Sequence, residues 1–462
     1  MVSNLLSQGI LFIVSIIIAK ELPIDSFGMY RLILSIPIYF TIVTLGTDLT
    51  LMYRLPLAVS SGKKSVKGLI ATSLSFVILM LVLAFPIAFL FYKINLLSIG
   101  IYWLYAYAIV FLTIINSMQE NILLSFRKYS TLSLSRIIHS FTYLIFILLC
   151  IFVEINIHNI LISIILSMLF KTIILRYRFP IKYSFKFPKK SVLKLIKFGF
   201  IIKLNSYLFI LIESLPILFI ASFYSLEDVG IYGFALISIV AFTSLTSTLG
   251  QFFMPKILSA INDKELKQDN INLFGFKMFF TFGLLGVVSI LLVFSFLMNY
   301  YYNAKYNDAW WIIIIFLIYR LMYYSFTVNG NKLINDKKSL KFTKIISLAI
   351  SLQILLLSLA AYLEVSILFY ALINLIIMTI LSLSIFSITT KYNLSAYFKH
   401  FILLISGLLF VLIVGIIFEK DSIIFNKLTI LIVFLSILII ARIFYKNIIN
   451  FNKNLSEKGM TV

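Results

Sequence analysis

The sequence has 462 residues, of which 62% are hydrophobic and 12% charged, and it carries a formal net charge of +22. Soluble domains have roughly 45–50% apolar and about 25% charged residues, so this composition excludes a soluble globular protein. With a mean hydropathy of +1.08, the chain is predicted to be an all-α polytopic membrane protein. The single cysteine, Cys150, excludes a disulfide framework and a Cys-based metal site.

Apolar runs of about 20 residues, the length that crosses a ~30 Å hydrocarbon core as a helix, recur along the chain. They predict about fourteen membrane-spanning helices. In chain order these cover residues 3–19, 31–52, 68–92, 101–124, 137–153, 159–175, 198–222, 231–254, 273–298, 309–330, 345–362, 366–388, 400–418 and 428–445. Aromatic residues before the tenth helix, including Tyr306 and Trp310, are typical of an interfacial belt.

The basic residues are unevenly distributed among the connections. Thirty of the 39 Lys and Arg lie in connections that follow even-numbered helices or after the last helix, counting Lys171 and Arg442 at the adjoining helix ends. The positive-inside rule therefore predicts a protein of the inner (cytoplasmic) membrane with both termini in the cytoplasm. Because topology and attraction to anionic membrane lipids account for most of the charge, we expect no nucleic-acid partner.

A short motif occurs twice, 202 residues apart, as LPIDSFGMYR at Leu22–Arg31 and within YSLEDVGIYGF at Tyr224–Phe234. Equivalent positions are Asp25 and Glu227, Gly28 and Gly230, Tyr30 and Tyr232. Each copy joins two apolar runs and falls on the predicted external side. We interpret the glycine and tyrosine as a tight turn with an interfacial anchor, and the repetition as the duplication of one unit.

The duplication predicts two parallel six-helix lobes and two extra C-terminal helices. Residues 1–175 form the N-terminal lobe, 176–197 a basic cytoplasmic linker, 198–390 the C-terminal lobe, and 391–462 the last two helices with a cytoplasmic tail. Parallel repeats related by an axis along the membrane normal are typical of transporters, which bind their substrate between the repeats.

Four stretches carry a resemblance to a known family. They are NLLSQGILFIVSIIIAKELPIDSFGMYRLILSI, LGTDLTLMYRLPLA, SLEDVGIYGFALISI and YYNAKYNDAWWIII. In order and spacing they resemble the polysaccharide-transport flippases, the O-antigen and capsule repeat-unit flippases. Their superfamily, the multidrug/oligosaccharidyl-lipid/polysaccharide exporters, also holds the multidrug and toxin extrusion (MATE) antiporters and the lipid II flippase.

The resemblance implies a MATE-like, V-shaped pair of helix bundles around a central cavity. It further implies export of undecaprenyl-diphosphate-linked oligosaccharide, coupled to an H⁺ or Na⁺ gradient. A polysaccharide polymerase and a chain-length regulator are the partners that it suggests.

Charged side chains within the predicted helices are the first candidates for function, since each costs roughly 2.5–3.5 kcal/mol on insertion scales. Arg320, with Tyr324 one turn further, suits a diphosphate because its guanidinium can bind phosphate bidentately; snorkelling or an acidic partner is the alternative. Lys203 is a second basic candidate, with snorkelling as its alternative. Glu213 is a candidate for ion coupling, or else a partner of Arg320 or Lys203.

Weaker candidates lie on polar stripes of other predicted helices. Asn4 and Gln8 on the first helix and Gln251 on the eighth could contact substrate, although small polar stripes also hold helices together. Asp48 on the second helix is another ion-coupling candidate, with an interfacial ion pair to Arg54 as the alternative. We expect no cofactor and no metal, because the three histidines lack a metal-ligand spacing.

Two other functions are weighed against transport of an anionic lipid-linked glycan. A MATE-type antiporter of cations would need acids in the first lobe, where Asp48 and Glu120 lie near helix ends. A membrane glycan polymerase or acyltransferase would need a sizeable external loop or a membrane histidine in a polar setting. The sequence therefore favours translocation without an enzymatic reaction.

Overall fold

The structure is a computed structural model that describes residues 2–60, 66–95, 97, 99–177, 187–262, 268–302, 305–325, 339–389, 411 and 413–414. At 247–262 and 268–278, and at a few positions near helix ends, it describes the backbone alone. In these ranges all regular structure is helical. The helices are α1 Val2–Glu21, α2 Ile24–Phe40, α3 Thr47–Ser60, α4 Val66–Lys93, α5 Tyr102–Ser125, α6 Tyr129–Val153, α7 Ile157–Tyr177, α8 Lys189–Phe223, α9 Leu226–Asn262, α10 Gln268–Phe296, α11 Trp310–Ser325, α12 Ser339–Tyr362 and α13 Ile367–Thr389.

Eleven helical segments in the described part of the chain are long and apolar enough to cross a membrane. This confirms the all-α polytopic class. The last two predicted helices, 400–418 and 428–445, lie outside the described residues apart from three positions, so the total of fourteen stays a prediction.

The second predicted helix is broken, and a continuous span over 31–52 was wrong. α2 ends at Phe40, a short 3-10 helix covers Thr41–Thr44, and α3 begins at Thr47. Leu45 and Gly46 between them have φ values of 46° and 80°. This left-handed conformation cannot continue a right-handed helix and costs a non-glycine residue roughly 1–2 kcal/mol.

The break brings α3 into backbone contact with α8. A methyl group added at Gly46 would overlap the backbone of Gly199 on α8, and one at Gly199 would overlap Gly46 and the hydroxyl of Thr50. Thr50 Oγ1 also donates a hydrogen bond of 2.8 Å to the Leu195 carbonyl of α8. α3 is therefore held against α8 at the point where the chain leaves the 3-10 helix.

The described helices pack into two units. One comprises Met1–Gly233 and Ser339–Ile367, and the other Phe234–Lys338 and Leu368–Val462. α8 and α12 thus pack with α1–α7 in the first unit. The lobe boundaries proposed from the duplication rest on sequence equivalence rather than on packing, and they stay a prediction.

A proline inside α8 explains how α12 is attached in the first unit. Pro216 lacks an N–H, which leaves the Ile212 carbonyl without its helical donor. Gln353 of α12, a fully buried residue, donates its Nε2–H to that carbonyl over 2.7 Å. A second bond joins Thr343 Oγ1 to Asn205 Oδ1 at 2.7 Å. Side chains of α12 therefore replace a bond that α8 cannot make itself.

The repeated motif is helical rather than a tight turn with an anchor. α1 and α2 are separated by two residues, and so are α8 and α9, so Gly28 and Gly230 lie inside α2 and α9. Tyr30 and Tyr232 are 4% and 0% exposed. The tight-turn interpretation is therefore wrong, because the turns end before the glycines and the tyrosines are buried by packing.

Aromatic residues form the core of the second unit near its first residue. Phe234 stacks on Tyr306 with ring centroids 4.0 Å apart and meets Tyr302 edge-on at 5.1 Å. Burial raises the pKa of both phenols above their usual range, so they remain neutral. Only part of the predicted interfacial belt is therefore on the surface, since Tyr306 and Trp310 are buried while Tyr300 is 65% exposed.

Candidate functional site

A largely buried ion pair joins α3 to α8. Lys203 Nζ of α8 lies 2.9 Å from Asp48 Oδ2, in the first turn of α3, and the two side chains are only 13% and 11% exposed. Buried charges must be paired to be tolerated. The two residues are 155 positions apart, and only the packing of the broken second span against α8 brings them together.

Asp48 is held by a second contact from the 3-10 helix. Thr44 Oγ1 donates a hydrogen bond of 2.8 Å to Asp48 Oδ1, so each carboxylate oxygen has a partner. Two neighbouring threonines use their hydroxyls on backbone carbonyls: Thr47 on Thr44 at 2.9 Å and Thr50 on Leu195. The carboxylate therefore has a fixed orientation toward Lys203.

The alternatives considered for these residues are resolved differently by the structure. The guanidinium of Arg54 lies over the Phe198 ring, 4.2 Å from its centroid, while Asp48 pairs with Lys203. Glu213 is ten residues beyond Lys203 on α8, about 15 Å along the axis, and is half-buried. Lys203 thus has Asp48, and not Glu213, as its acidic partner.

Tyrosine hydroxyls connect α2 to α8 on the same side as the ion pair. Tyr39 donates to the Ser214 carbonyl over 2.7 Å, and Tyr207 donates to the Tyr39 carbonyl over 3.2 Å. Lys203, Tyr207 and Ser214 follow helical spacing on α8. Polar contacts therefore run along this face of α8 from the ion pair to the turn before Pro216.

The first helix uses part of its polar stripe for packing. Ser3 Oγ donates to Ser133 Oγ over 2.9 Å and Ser7 Oγ to the Arg136 carbonyl over 3.2 Å, both on α6. Asn4 and Gln8 follow these serines by one residue each and are half-buried. The structure thus places both candidates beside the α1–α6 contact.

The remaining candidates belong to the second unit. Tyr324 of α11 donates its hydroxyl to the Thr246 carbonyl over 2.7 Å, and its ring meets Phe279 edge-on at 4.8 Å, so it serves packing. Arg320 is half-buried, with its guanidinium carbon 5.6 Å from the centroid of the Tyr319 ring. Gln251 lies on the α9 backbone, and its side chain is outside the described atoms.

A second ionic cluster was missed by sequence reasoning. Glu120 of α5 binds Arg136 of α6 at 2.9 Å and Lys171 of α7 at 2.7 Å. The glutamate is 18% exposed, so two cations neutralise one half-buried acid. The only signal in the sequence is that the two helices after α5, which carries Glu120, each carry a basic residue. That signal does not specify which faces of the three helices meet.

Comparison with solved structures shows which fold this arrangement belongs to. The chain is similar to the lipid II flippase MurJ in its inward closed conformation, with a TM-score of 0.72, 14% identity, and coverage of 97% of this chain and 99% of that one. It is also similar to a MATE protein in the bent conformation, with a TM-score of 0.51, 13% identity, and coverage of 88% and 95%. At such identities the likeness shows the fold alone, and it confirms the MATE-like architecture.

Sequence comparison identifies the family. No curated protein matches the chain. A family profile described as polysaccharide biosynthesis protein matches residues 1–251. This segment is more than half of the chain and contains both residues of the Asp48–Lys203 pair. The chain therefore belongs to the polysaccharide biosynthesis protein family, as its resemblance to polysaccharide-transport flippases predicted.

Proposed function

We propose that this protein is a flippase that moves undecaprenyl-diphosphate-linked oligosaccharide repeat units across the cytoplasmic membrane for O-antigen or capsular polysaccharide synthesis. Both termini lie in the cytoplasm, and the glycan is then used by a polysaccharide polymerase with its chain-length regulator. The protein moves its substrate by alternating access and catalyses no reaction.

The observation that carries this proposal is the Asp48–Lys203 pair. It places a largely buried cation at a helix break, within the segment that matches the polysaccharide family. An unpaired ammonium with so little exposure would be costly. Asp48 therefore neutralises Lys203 while no substrate is bound, and a diphosphate replaces Asp48 as the counter-ion when the substrate enters.

The same exchange gives a physical basis for ion coupling. Once a diphosphate has taken Lys203, Asp48 loses its counter-charge and keeps only the hydrogen bond from Thr44. A carboxylate in that position favours binding of H⁺ or Na⁺. Substrate and ion would thus help each other to bind, by equal amounts in the two directions.

A MATE-type antiporter of cationic compounds is the second candidate, because the chain is similar to a MATE structure. A cation site needs an acid that is not already neutralised. Asp48 is paired with Lys203, and Glu120 with two cations. These pairs favour an anionic substrate over a cationic one.

The test is a deletion strain complemented with variants. Deletion should cause undecaprenyl-linked oligosaccharide to accumulate on the cytoplasmic side and surface glycan to disappear, and the wild-type gene should restore both. Lys203→Met should fail to restore surface glycan. Lys194→Met, which removes the same charge from an exposed position of α8, should succeed. Unchanged surface glycan in the deletion strain, with resistance to cationic drugs conferred on expression, would favour the antiporter.

A further inference from the structure

The two copies of the repeated motif touch each other. A methyl group added at Gly28 would overlap the carbonyl oxygen of Leu226 and lie 2.8 Å from the Gly230 nitrogen. One added at Gly230 would overlap the carbonyl oxygen of Ile24 and lie 2.8 Å from its Cγ2. The backbones of α2 and α9 are therefore in direct contact at these glycines.

The contact has twofold symmetry. With the offset of 202 residues between the copies, Leu226 is the equivalent of Ile24, and Gly230 of Gly28. Gly28 facing Leu226 is thus the same contact as Gly230 facing Ile24, made a second time. An axis of local symmetry passes between the two glycines, inside the first packing unit.

A third pair of equivalent residues extends the contact by one helical turn. A Cβ atom at Gly233 would lie 2.7 Å from Cγ and 2.9 Å from Cβ of Arg31. Gly233 is the equivalent of Arg31 under the same offset. The side chain of Arg31 therefore fills the space on the axis, and its equivalent in the other copy, Gly233, has no side chain.

Such a contact closes the gap between two helices completely. Small residues at a crossing allow backbones to approach within van der Waals distance, which leaves no room for water or substrate between them. Gly9 and Gly68 differ in this respect, because an added Cβ at either would meet nothing within 4 Å. Glycine is thus required at 28 and 230 by the close approach of the two helices.

We propose that the Gly28–Gly230 contact is the external seal of the transport path, which is closed in this structure and separates once in every transport cycle. The proposal rests on the proposed function and on the charge distribution that places both motifs on the external side. Each motif belongs to a different copy of the duplicated unit, and alternating access moves such copies relative to each other. Equivalent residues on the axis are the ones that must part.

A reversible cross-link tests whether the contact separates. In a Cys150→Ala background, Ile24→Cys and Leu226→Cys place one thiol in each motif, one turn from the axis. Joining them with a short bifunctional thiol reagent that a reductant cleaves should abolish glycan export, and reduction should restore it. Export by the cross-linked protein at the uncross-linked rate would show that the contact is permanent and would overturn the proposal.

Accessibility gives a second measurement that does not depend on the substrate. Ser206→Cys, also without Cys150, places a thiol on an exposed position of α8. Gly28→Ala should crowd the closed contact and so favour the state in which the seal is open. Labelling of the thiol at position 206 by an impermeant maleimide added outside should then rise about tenfold. Gly9→Ala is the matched control and should leave labelling at position 206 unchanged. Equal labelling in the two variants would overturn the proposal that the glycines form a seal.

The two proposals can fail separately. If deletion of the gene leaves surface glycan intact, the flippase function fails, while labelling at position 206 still decides whether the glycines form a seal. If Gly28→Ala does not accumulate in the membrane, the cross-link decides, since it leaves both glycines in place.

Discussion

Replacing one partner of the Asp48–Lys203 pair should destabilise the protein far more than replacing both. Asp48→Asn leaves a buried ammonium without a counter-charge, and the loss of one partner of a buried pair typically costs about 3–5 kcal/mol. The side chains retain 13% and 11% exposure, so we expect about 3 kcal/mol, roughly a hundredfold change in the folding equilibrium. Lys203→Met should cost a similar amount.

The double variant Asp48→Asn/Lys203→Met carries no charge at this position. Replacing both members of a buried pair with hydrophobic residues of similar size is often neutral. Because methionine is such a residue and asparagine keeps the oxygen that accepts from Thr44, stability should return to within about 1 kcal/mol of the wild type. Heating purified protein and following the loss of the monodisperse species gives the order of stability. Lys194→Met controls for the loss of a lysine from α8.

Export separates the structural role of the pair from its proposed binding role. The double variant should be stable and yet fail to restore surface glycan, because it lacks the cation for the diphosphate. If it restores export as well as stability, Lys203 does not bind the headgroup. If it is no more stable than the single variants, the two charges do not compensate each other, and the reasoning from their geometry is wrong.

Three further predictions concern other described residues. Arg320→Ala should abolish surface glycan at normal protein levels, with partial recovery in Arg320→Lys because lysine keeps the charge without the bidentate fork; normal glycan in the alanine variant would remove Arg320 from the mechanism. Gln353→Leu should cost about 1–3 kcal/mol by leaving an α8 carbonyl unsatisfied, and less in a Pro216→Ala background where the helix bonds that carbonyl itself; equal losses in thermal stability would refute this. Glu120→Gln should lower the melting temperature, because two cations lose their counter-charge, whereas the exposed Glu154→Gln should not, and equal midpoints would contradict the cluster's role.

Most of the helices could be predicted from sequence because their apolar runs have the length of a membrane span. The break after Thr44 was not predicted, although the stretch across it, TLGTDLT at 44–50, is polar and contains a glycine, because an isolated glycine is also tolerated inside a helix. Its left-handed Leu45 and Gly46 lie where Gly46 meets the backbone of Gly199, which is about 150 residues further along the chain. Hydropathy reports where a segment is buried, and not whether its backbone stays helical.

The candidate site was predicted as separate residues rather than as an arrangement. Intramembrane charge drew attention to Asp48 and Lys203, but helical spacing relates only residues on one helix. Their pairing depends on which faces of α3 and α8 meet. Tyr324 was selected for its position next to Arg320, and its hydroxyl turned out to serve the α9 backbone. The repeat was visible in the sequence, whereas the meeting of its two glycines needed coordinates.

If the repeated motif arose by duplication, as the sequence predicts, the contact between Arg31 and Gly233 limits what the undivided ancestor could carry at this position. Two identical half-proteins that paired through the same crossing would have carried the same residue at both positions. Two arginines cannot occupy one space on the axis, so that ancestor needed a small residue in each half. On that prediction the copies could diverge at this position only after fusion into one chain, and the large side chain at Arg31 would be a later acquisition than the duplication.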